Sequence, residues 1–85
     1  MAEKWILGIY LPNREQEASR VQYILTKFGC VIKTRFGINA DDDNGTSGRG
    51  LILLELIGDP SEFRKLKAEL HTIGSIQVEQ MVFAG

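Results

Sequence analysis

The chain has 85 residues, of which 44% are hydrophobic and 25% are charged, and its formal net charge is −1. This length fits one domain, and the composition is typical of a chain that folds. The small net charge argues against nucleic-acid binding of the kind that depends on an excess of Lys and Arg. We therefore expect one domain over residues 1–85, with no direct nucleic-acid partner.

The cysteine content, the N-terminal residues and the length of the apolar runs indicate where the protein is located. Cys30 is the only cysteine, so no disulfide can form within the chain. Residues 1–5 do not have the basic region and long apolar stretch that begin a secretion signal. No apolar run approaches the roughly 18 residues of a membrane-spanning helix. These features predict a soluble, cytoplasmic protein without a membrane partner.

The first half of the chain has the pattern of a strand, a helix and a second strand. Lys4–Leu11 is an apolar segment and predicts a strand. Asn13 is then the predicted N-cap of a helix, and Gln16 stands where a capping box requires it. Apolar residues recur at helical spacing up to Gly29, the predicted C-cap. Cys30–Phe36 predicts the second strand.

The second half repeats this order. Leu51–Ile57 predicts a third strand, and Asp59 is the predicted N-cap of a second helix, with Glu62 three residues later. Gly74 is expected to end that helix, and Ser75–Phe83 to form the fourth strand. Residues 39–50 are polar and rich in glycine, and predict a long hairpin loop between the two halves.

Two strand-helix-strand units joined by a hairpin predict the α+β class and a ferredoxin-like βαββαβ sandwich. In that fold a four-stranded antiparallel sheet has the order 4-1-3-2 and two helices cover one face. The central strands should then be apolar on both faces, as the first and third strands are. The uncovered face, which we call the open face, would expose a large apolar surface. This predicts a homodimer or homotetramer through the open face, and the alternative is an open face that holds a ligand.

The charged residues of the open face form the candidate site. Strand alternation places Lys33, Arg35 and Glu55 on this face, with Tyr10 nearby. A carboxylate amid apolar residues is costly if it is buried without a partner. Glu55 could therefore pair with Arg35 or Lys33 within an oligomer. The alternative is that Tyr10, Lys33, Arg35 and Glu55 line a ligand-binding pocket for an anion or small molecule at a subunit interface.

The remaining reactive residues do not form the pattern of a catalytic, metal-binding or phosphate-binding site. Cys30 is expected to be a small buried hydrophobic residue, and His71 to complement the dipole at the end of the second helix. Residues 41–45 fail the calcium-loop pattern, because its first and last positions carry no carboxylate. Residues 45–50 fail the phosphate-loop pattern, because no Lys follows the last glycine. We predict no catalytic set, no metal site and no cofactor, although residues 39–50 could hold a weakly bound ion.

Several segments resemble one family over nearly the whole chain. They are the opening strand that leads into Pro12-Asn13-Arg14-Glu15, the Arg-Phe-Gly-Ile segment at 35–38, Gly58-Asp59-Pro60 and the segment Leu70–Val78. The chain resembles the small ACT-like proteins described as regulators of the iron-only hydrogenase system. The resemblance implies an ACT-like fold, a homo-oligomer and a regulatory role without enzymatic activity.

That family is similar in fold to the C-terminal domain of the NikR-type nickel-responsive regulators, which binds nickel through histidines on its second strand. Thr34, Arg35 and Phe36 occupy the matching strand here, so the nickel site is not carried over. The resemblance implies a regulatory module that senses a small-molecule effector or acts through a partner protein. The alternatives are a purely structural interaction module and an enzyme whose active site lies at a subunit interface.

Overall fold

The computed structural model describes residues 3–39 and 50–84. The elements in chain order are β1 (Lys4–Leu11), α1 (Arg14–Lys27), a short 3-10 helix (Gly29–Val31), β2 (Ile32–Asn39), β3 (Gly50–Leu56), α2 (Pro60–Leu70) and β4 (Gln77–Phe83). The strands form one antiparallel sheet in the order β2-β3-β1-β4. This confirms the predicted ferredoxin-like βαββαβ sandwich with strand order 4-1-3-2.

The core lies between one face of the sheet and the two helices. Along β1 every second residue from Trp5 to Leu11 is buried, while the residues between them are half-buried. Helix α2 contributes Phe63, whose ring centroid lies 5.4 Å from that of Trp5 at an interplanar angle of 57°, a favourable tilted arrangement. The burial of one side of each element follows from the strand period of two and the helix period of 3.6.

The two helices begin differently. Asn13 is the N-cap of α1, as predicted, but its side chain makes no capping hydrogen bond. Instead, the backbone N–H of Asn13 donates to Oε1 of Glu17 over 3.1 Å, so Glu17 takes the role predicted for Gln16. At α2 the prediction is confirmed, because Oδ1 of Asp59 accepts a hydrogen bond of 3.0 Å from the N–H of Ser61. This hydrogen bond holds the pKa of Asp59 below its usual range.

The predicted glycine caps at the ends of the helices are wrong. Helix α1 ends with Phe28 as its C-cap, and Gly29 begins the 3-10 helix. Helix α2 ends with His71 as its C-cap, and the N–H of Thr72 then donates to the carbonyl of Glu69 over 3.1 Å. Tight turns of this kind satisfy the last carbonyls of a helix without a left-handed residue. Within the described ranges the positive φ, 114°, occurs at Gly58, between β3 and α2.

The boundaries of the second strand also differ from prediction. Cys30 lies in the 3-10 helix and is exposed, so its predicted burial in a strand is wrong. Strand β2 begins two residues later, at Ile32, and extends to Asn39. Residues 40–49, and with them the acidic and glycine-rich stretches of the predicted hairpin loop, lie outside the described residues. No helix in residues 3–39 and 50–84 is long and apolar enough to span a membrane.

Candidate functional site

A bulge at the start of β2 determines which of its side chains face which side of the sheet. Ile32 pairs with Leu56, and Thr34 pairs with Glu55, the neighbour of Leu56. Two steps along β2 therefore match one step along β3, which leaves Lys33 as the extra residue of the bulge. Since directly paired residues share a face, the bulge reverses the alternation of every residue that follows it.

Arg35 is the residue that this reversal affects most. It pairs with Leu54, which is fully buried against the helices. Arg35 therefore lies on the helix side of the sheet, and its predicted position on the open face is wrong. Phe36 pairs with Leu53 instead, and takes a position on the open face where its side chain is exposed.

Glu55 lies on the open face, as predicted, but its partners differ from the predicted ones. Nζ of Lys4 donates to Oε2 over 2.8 Å, and Oγ1 of Thr34 donates to Oε1 over 2.8 Å. These two hydrogen bonds, that of Lys4 first, hold the pKa of Glu55 below its usual range. Within one chain, Lys33 adds a weaker electrostatic attraction, and the pairing of Glu55 with Arg35 or Lys33 within an oligomer stays a prediction.

Tyr10 occupies the opposite end of the open face from Glu55. Tyr10 pairs with Leu51, whereas Glu55 pairs with Ile6, so the two positions lie four residues apart along β1. At about 3.3 Å per residue this separation is roughly 13 Å. Within one chain the four residues of the predicted pocket are therefore not brought together: Tyr10 and Glu55 are far apart, Lys33 is in the bulge and Arg35 is on the helix side.

The open face is nonetheless strongly apolar. Its apolar side chains are those of Ile6, Tyr10, Phe36, Leu51, Leu53, Met81 and Phe83. Phe36, Met81 and Phe83 are 58%, 54% and 53% exposed, respectively. A depression of about 230 Å³ lies over Gly8, between Ile6, Leu53 and Met81. Apolar surface of this extent is typical of protein-protein contact.

A second feature, a cleft between α1 and β2, was missed by the sequence reasoning. We call it the arginine cleft; it measures about 160 Å³ and is lined by Leu11, Arg14, Ala18, Gln22, Arg35, Gly37, Gly50, Leu51 and Ile52. Arg14, Ala18 and Gln22 recur every four residues and so share one face of α1. That spacing was visible in the sequence, but the position of Arg35 opposite them depends on the bulge.

Two glycines keep the strand side of the arginine cleft open. A Cβ added at Gly37 would meet no atom within 4 Å. A Cβ added at Gly50 would lie 3.3 Å from Cδ of Arg14, so the aliphatic stem of that arginine passes close over the glycine backbone. Glycine at these positions therefore leaves room above the strand and lets the Arg14 side chain lie across it.

The arginine cleft continues along the same edge of the molecule. A second depression, of about 390 Å³, is lined by Leu25, Thr26, Gly29, Ile32, Lys33 and Arg35. Arg35 lines both depressions, so together they form one groove between α1 and β2 with three cations along it, Arg14, Arg35 and Lys33. None of the described lining residues is acidic. The groove can therefore attract an anion.

The remaining reactive residues of the described part assemble no further site. Cys30 and His71 are both exposed, on different elements. In residues 3–39 and 50–84 no group of three or more His, Cys, Asp or Glu side chains is placed to hold a metal ion. Glu17 is the exceptional buried polar residue, at 4% exposure, and its Oε2 has no hydrogen-bond partner within the described part of the chain.

Comparisons with known proteins identify solved structures that have a similar fold. No protein-family model and no curated protein matches the sequence. Among solved structures, an uncharacterized protein from Thermotoga maritima is 23% identical with a TM-score of 0.80, over 98% of this chain and 100% of that one. The ACT domain of the GTP pyrophosphokinase of Chlorobium tepidum is 15% identical with a TM-score of 0.69, over 92% of this chain and 96% of that one.

A third solved structure belongs to a nitrogen regulatory PII-like protein from Thiomonas intermedia, bound to ADP, AMP and bicarbonate. It is 11% identical with a TM-score of 0.63, over 99% of this chain and 96% of that one. Identities this low establish a shared fold and nothing finer. The chain is therefore similar to ACT and PII-like regulatory domains in fold, while the hydrogenase-regulator family stays a prediction from the sequence.

Proposed function

We propose that this chain is a non-enzymatic regulatory module that binds a small-molecule effector and acts as a homo-oligomer. The observation that carries the proposal is the placement of two different surfaces on the same two strands. Strands β2 and β3 form the floor of the cation-lined arginine cleft on the helix side and much of the apolar open face on the other side. A ligand in the cleft that repositions β2 would therefore also alter the open face.

The fold of the neighbours supports a regulatory role. One neighbour is the ACT domain of a larger enzyme, and another is a nitrogen regulatory protein bound to nucleotides and bicarbonate. This chain is similar to these two proteins in fold only. A sensing role for it is therefore our proposal.

Self-association through the open face is the second part of the proposal. Phe36, Leu53, Gly8 and Glu79 form one row across the four strands, as the pairing registers show. Phe36 and Leu53 are the large side chains of this row, and the depression over Gly8 lies beside them toward β4. A second copy related by a two-fold axis along the strands can place its large side chains over the depression, and the converse contact follows by symmetry. We propose a homodimer or homotetramer built on this contact.

The sequence resemblance adds a finer proposal, that the module regulates the iron-only hydrogenase system through a partner protein. The test is deletion of the gene in a host that makes such a hydrogenase. A change in hydrogenase level or maturation on deletion, restored by the wild-type chain, supports the link. Unchanged hydrogenase in the deletion strain would overturn it.

The open face on its own also suits a purely structural interaction module, which would need no effector. Thermal unfolding of the purified protein against a panel of amino acids, nucleotides and divalent cations separates the two functions. A ligand at about 100 times its dissociation constant stabilises the folded state by roughly 2.7 kcal/mol, which gives a measurable shift. A reproducible, saturable shift supports sensing, and a panel without any shift favours the structural module.

A further inference from the structure

We propose that the groove between α1 and β2 binds an anionic group of the effector, a phosphate or a carboxylate, and that Arg35 is its central ligand. This inference rests on the proposed sensing function and names the chemical class of the molecule sensed. It concerns the helix side of the sheet, whereas self-association concerns the open face.

The electrostatics of the groove favour an anion. Arg14 lies at one end, Lys33 at the other, and Arg35 lines both depressions between them. No carboxylate is among the described residues that line the two depressions. A guanidinium presents a planar fork of donors that matches the two oxygens of a carboxylate or phosphate.

Arg35 is placed to accept a ligand. Its side chain is exposed, and its guanidinium makes no hydrogen bond or ion pair with any described residue. The neighbouring Gly37 lies two residues along on the same side of β2, with open space above it. A ligand can therefore approach the strand backbone directly beside the guanidinium.

The shape of the arginine cleft restricts the ligand further. Its volume of about 160 Å³ is close to that of the ~150 Å³ engineered cavities that accept a benzene molecule. Leu11, Ala18 and Ile52 supply an apolar wall, and Gln22 supplies an amide that can donate or accept. The arginine cleft therefore fits the less polar body of a small metabolite whose anionic end reaches Arg35.

The opposite edge of the molecule offers a comparison within the same fold. The depression between α2 and β4 also carries basic residues, namely Arg64, Lys67 and His71. There, however, Nζ of Lys67 already donates to Oε1 of Gln80 over 2.7 Å, so this donor is engaged across the gap. The two edges thus share basic residues, but the one on β2 keeps its central cation available.

The test is a nuclear magnetic resonance titration of the ¹⁵N-labelled full chain with inorganic phosphate and, in a second arm, with acetate, each against chloride at matched ionic strength. We expect saturable shifts centred on the amides of Gly37 and Gly50 and on Nε of Arg35. A response to phosphate alone assigns a phosphate-bearing effector, and a response to acetate assigns a carboxylate. Shifts scattered over all basic residues, or none above those in chloride, would overturn the site.

Two variants and one control test whether the anion binds in this groove. Arg35→Gln removes the central cation, and Gly37→Val fills the cleft without changing its charge; each should weaken anion binding at least about tenfold. Arg64→Gln, with the same loss of charge on α2, should leave binding unchanged. If Arg35→Gln folds normally and binds the anion with the same affinity as wild type, the proposal is overturned.

Failure of this inference is distinguishable from failure of the proposed function. If a ligand from the panel stabilises wild type and both cleft variants equally, sensing stands and the groove is not its site. If no ligand shifts any of these proteins, the sensing function itself is contradicted.

Discussion

Nζ of Lys4 lies 2.8 Å from Oε2 of Glu55 on the open face, between the two central strands of the sheet. Thr34 donates to the other carboxylate oxygen, so the charge amid this apolar surface is neutralised and hydrogen-bonded within one chain. A second copy can then cover the face without burying a lone carboxylate, which would be costly. The ion pair is therefore compatible with self-association and requires no ligand.

The first prediction concerns the pKa of Glu55. Lys4→Met removes the larger of the two stabilising hydrogen bonds, so the pKa of Glu55 should rise toward its ordinary value of about 4.3. In wild type, the stability that Glu55 contributes should be present above that value and lost as the pH falls through the lower folded-state pKa. Carboxyl-carbon titration by nuclear magnetic resonance measures the shift.

The matched control is Lys65→Met, which breaks the exposed ion pair with Glu62 on α2. It should leave the titration of Glu55 unchanged. The same Glu55 pKa in wild type and Lys4→Met would show that the ion pair does not form in solution.

A second prediction concerns association through the open face. Phe36→Ser removes a large exposed apolar side chain from that face and should shift the protein toward the monomer in analytical ultracentrifugation. Tyr23→Ser is the control, since Tyr23 is a more exposed aromatic residue, at 73%, but lies on α1 away from the open face. If both variants sediment as wild type does, the open face is not the interface.

A third prediction concerns the buried carboxylate of Glu17. Glu17→Gln keeps an oxygen that can accept from the N–H of Asn13 and replaces the oxygen without a partner. A buried neutral amide costs less than a buried charge, so the free energy of unfolding should rise by about 1 kcal/mol. Urea denaturation measures it, with Glu15→Gln on the exposed side of α1 as a control expected within about 0.5 kcal/mol of wild type. A destabilised Glu17→Gln protein would indicate a stabilising partner of Oε2.

A fourth prediction compares the starts of the two helices. Asp59→Ala removes a side chain that caps α2, whereas Asn13→Ala removes one that makes no capping bond at α1. Asp59→Ala should therefore lower the thermal midpoint clearly more than Asn13→Ala does. As the pKa of Asp59 is lowered by its cap, the difference should diminish as the pH falls through that pKa. Equal effects at neutral pH would contradict the capping geometry.

The fold was predictable because its signals are local and repeated. The apolar strand Lys4–Leu11 and the Asp59-Pro60 helix start each reflect the physics of a single segment, and the strand order follows from which strands are apolar on both faces. The helix ends were less predictable, because a carbonyl can be satisfied by a tight turn as well as by a left-handed glycine.

The candidate site was not predictable in the same way, since it depends on one non-local event. The bulge at Lys33 moves Arg35 to the helix side and Phe36 to the open face. Alternation read from the sequence has a period of two, so one extra residue exchanges the two faces for the rest of the strand. No local feature of the segment Ile32–Phe36 announces the bulge, and the arginine cleft could not be assembled without it.

The most direct test of the account is the free energy of unfolding of the wild-type chain, followed by chemical denaturation, as a function of the concentration of the strongest ligand from the metabolite panel. If the chain senses that ligand, the free energy of unfolding should rise logarithmically and reach about 2.7 kcal/mol above its ligand-free value at 100 times the dissociation constant. A free energy of unfolding that stays constant for every member of the panel would contradict the proposal that this chain senses a small molecule.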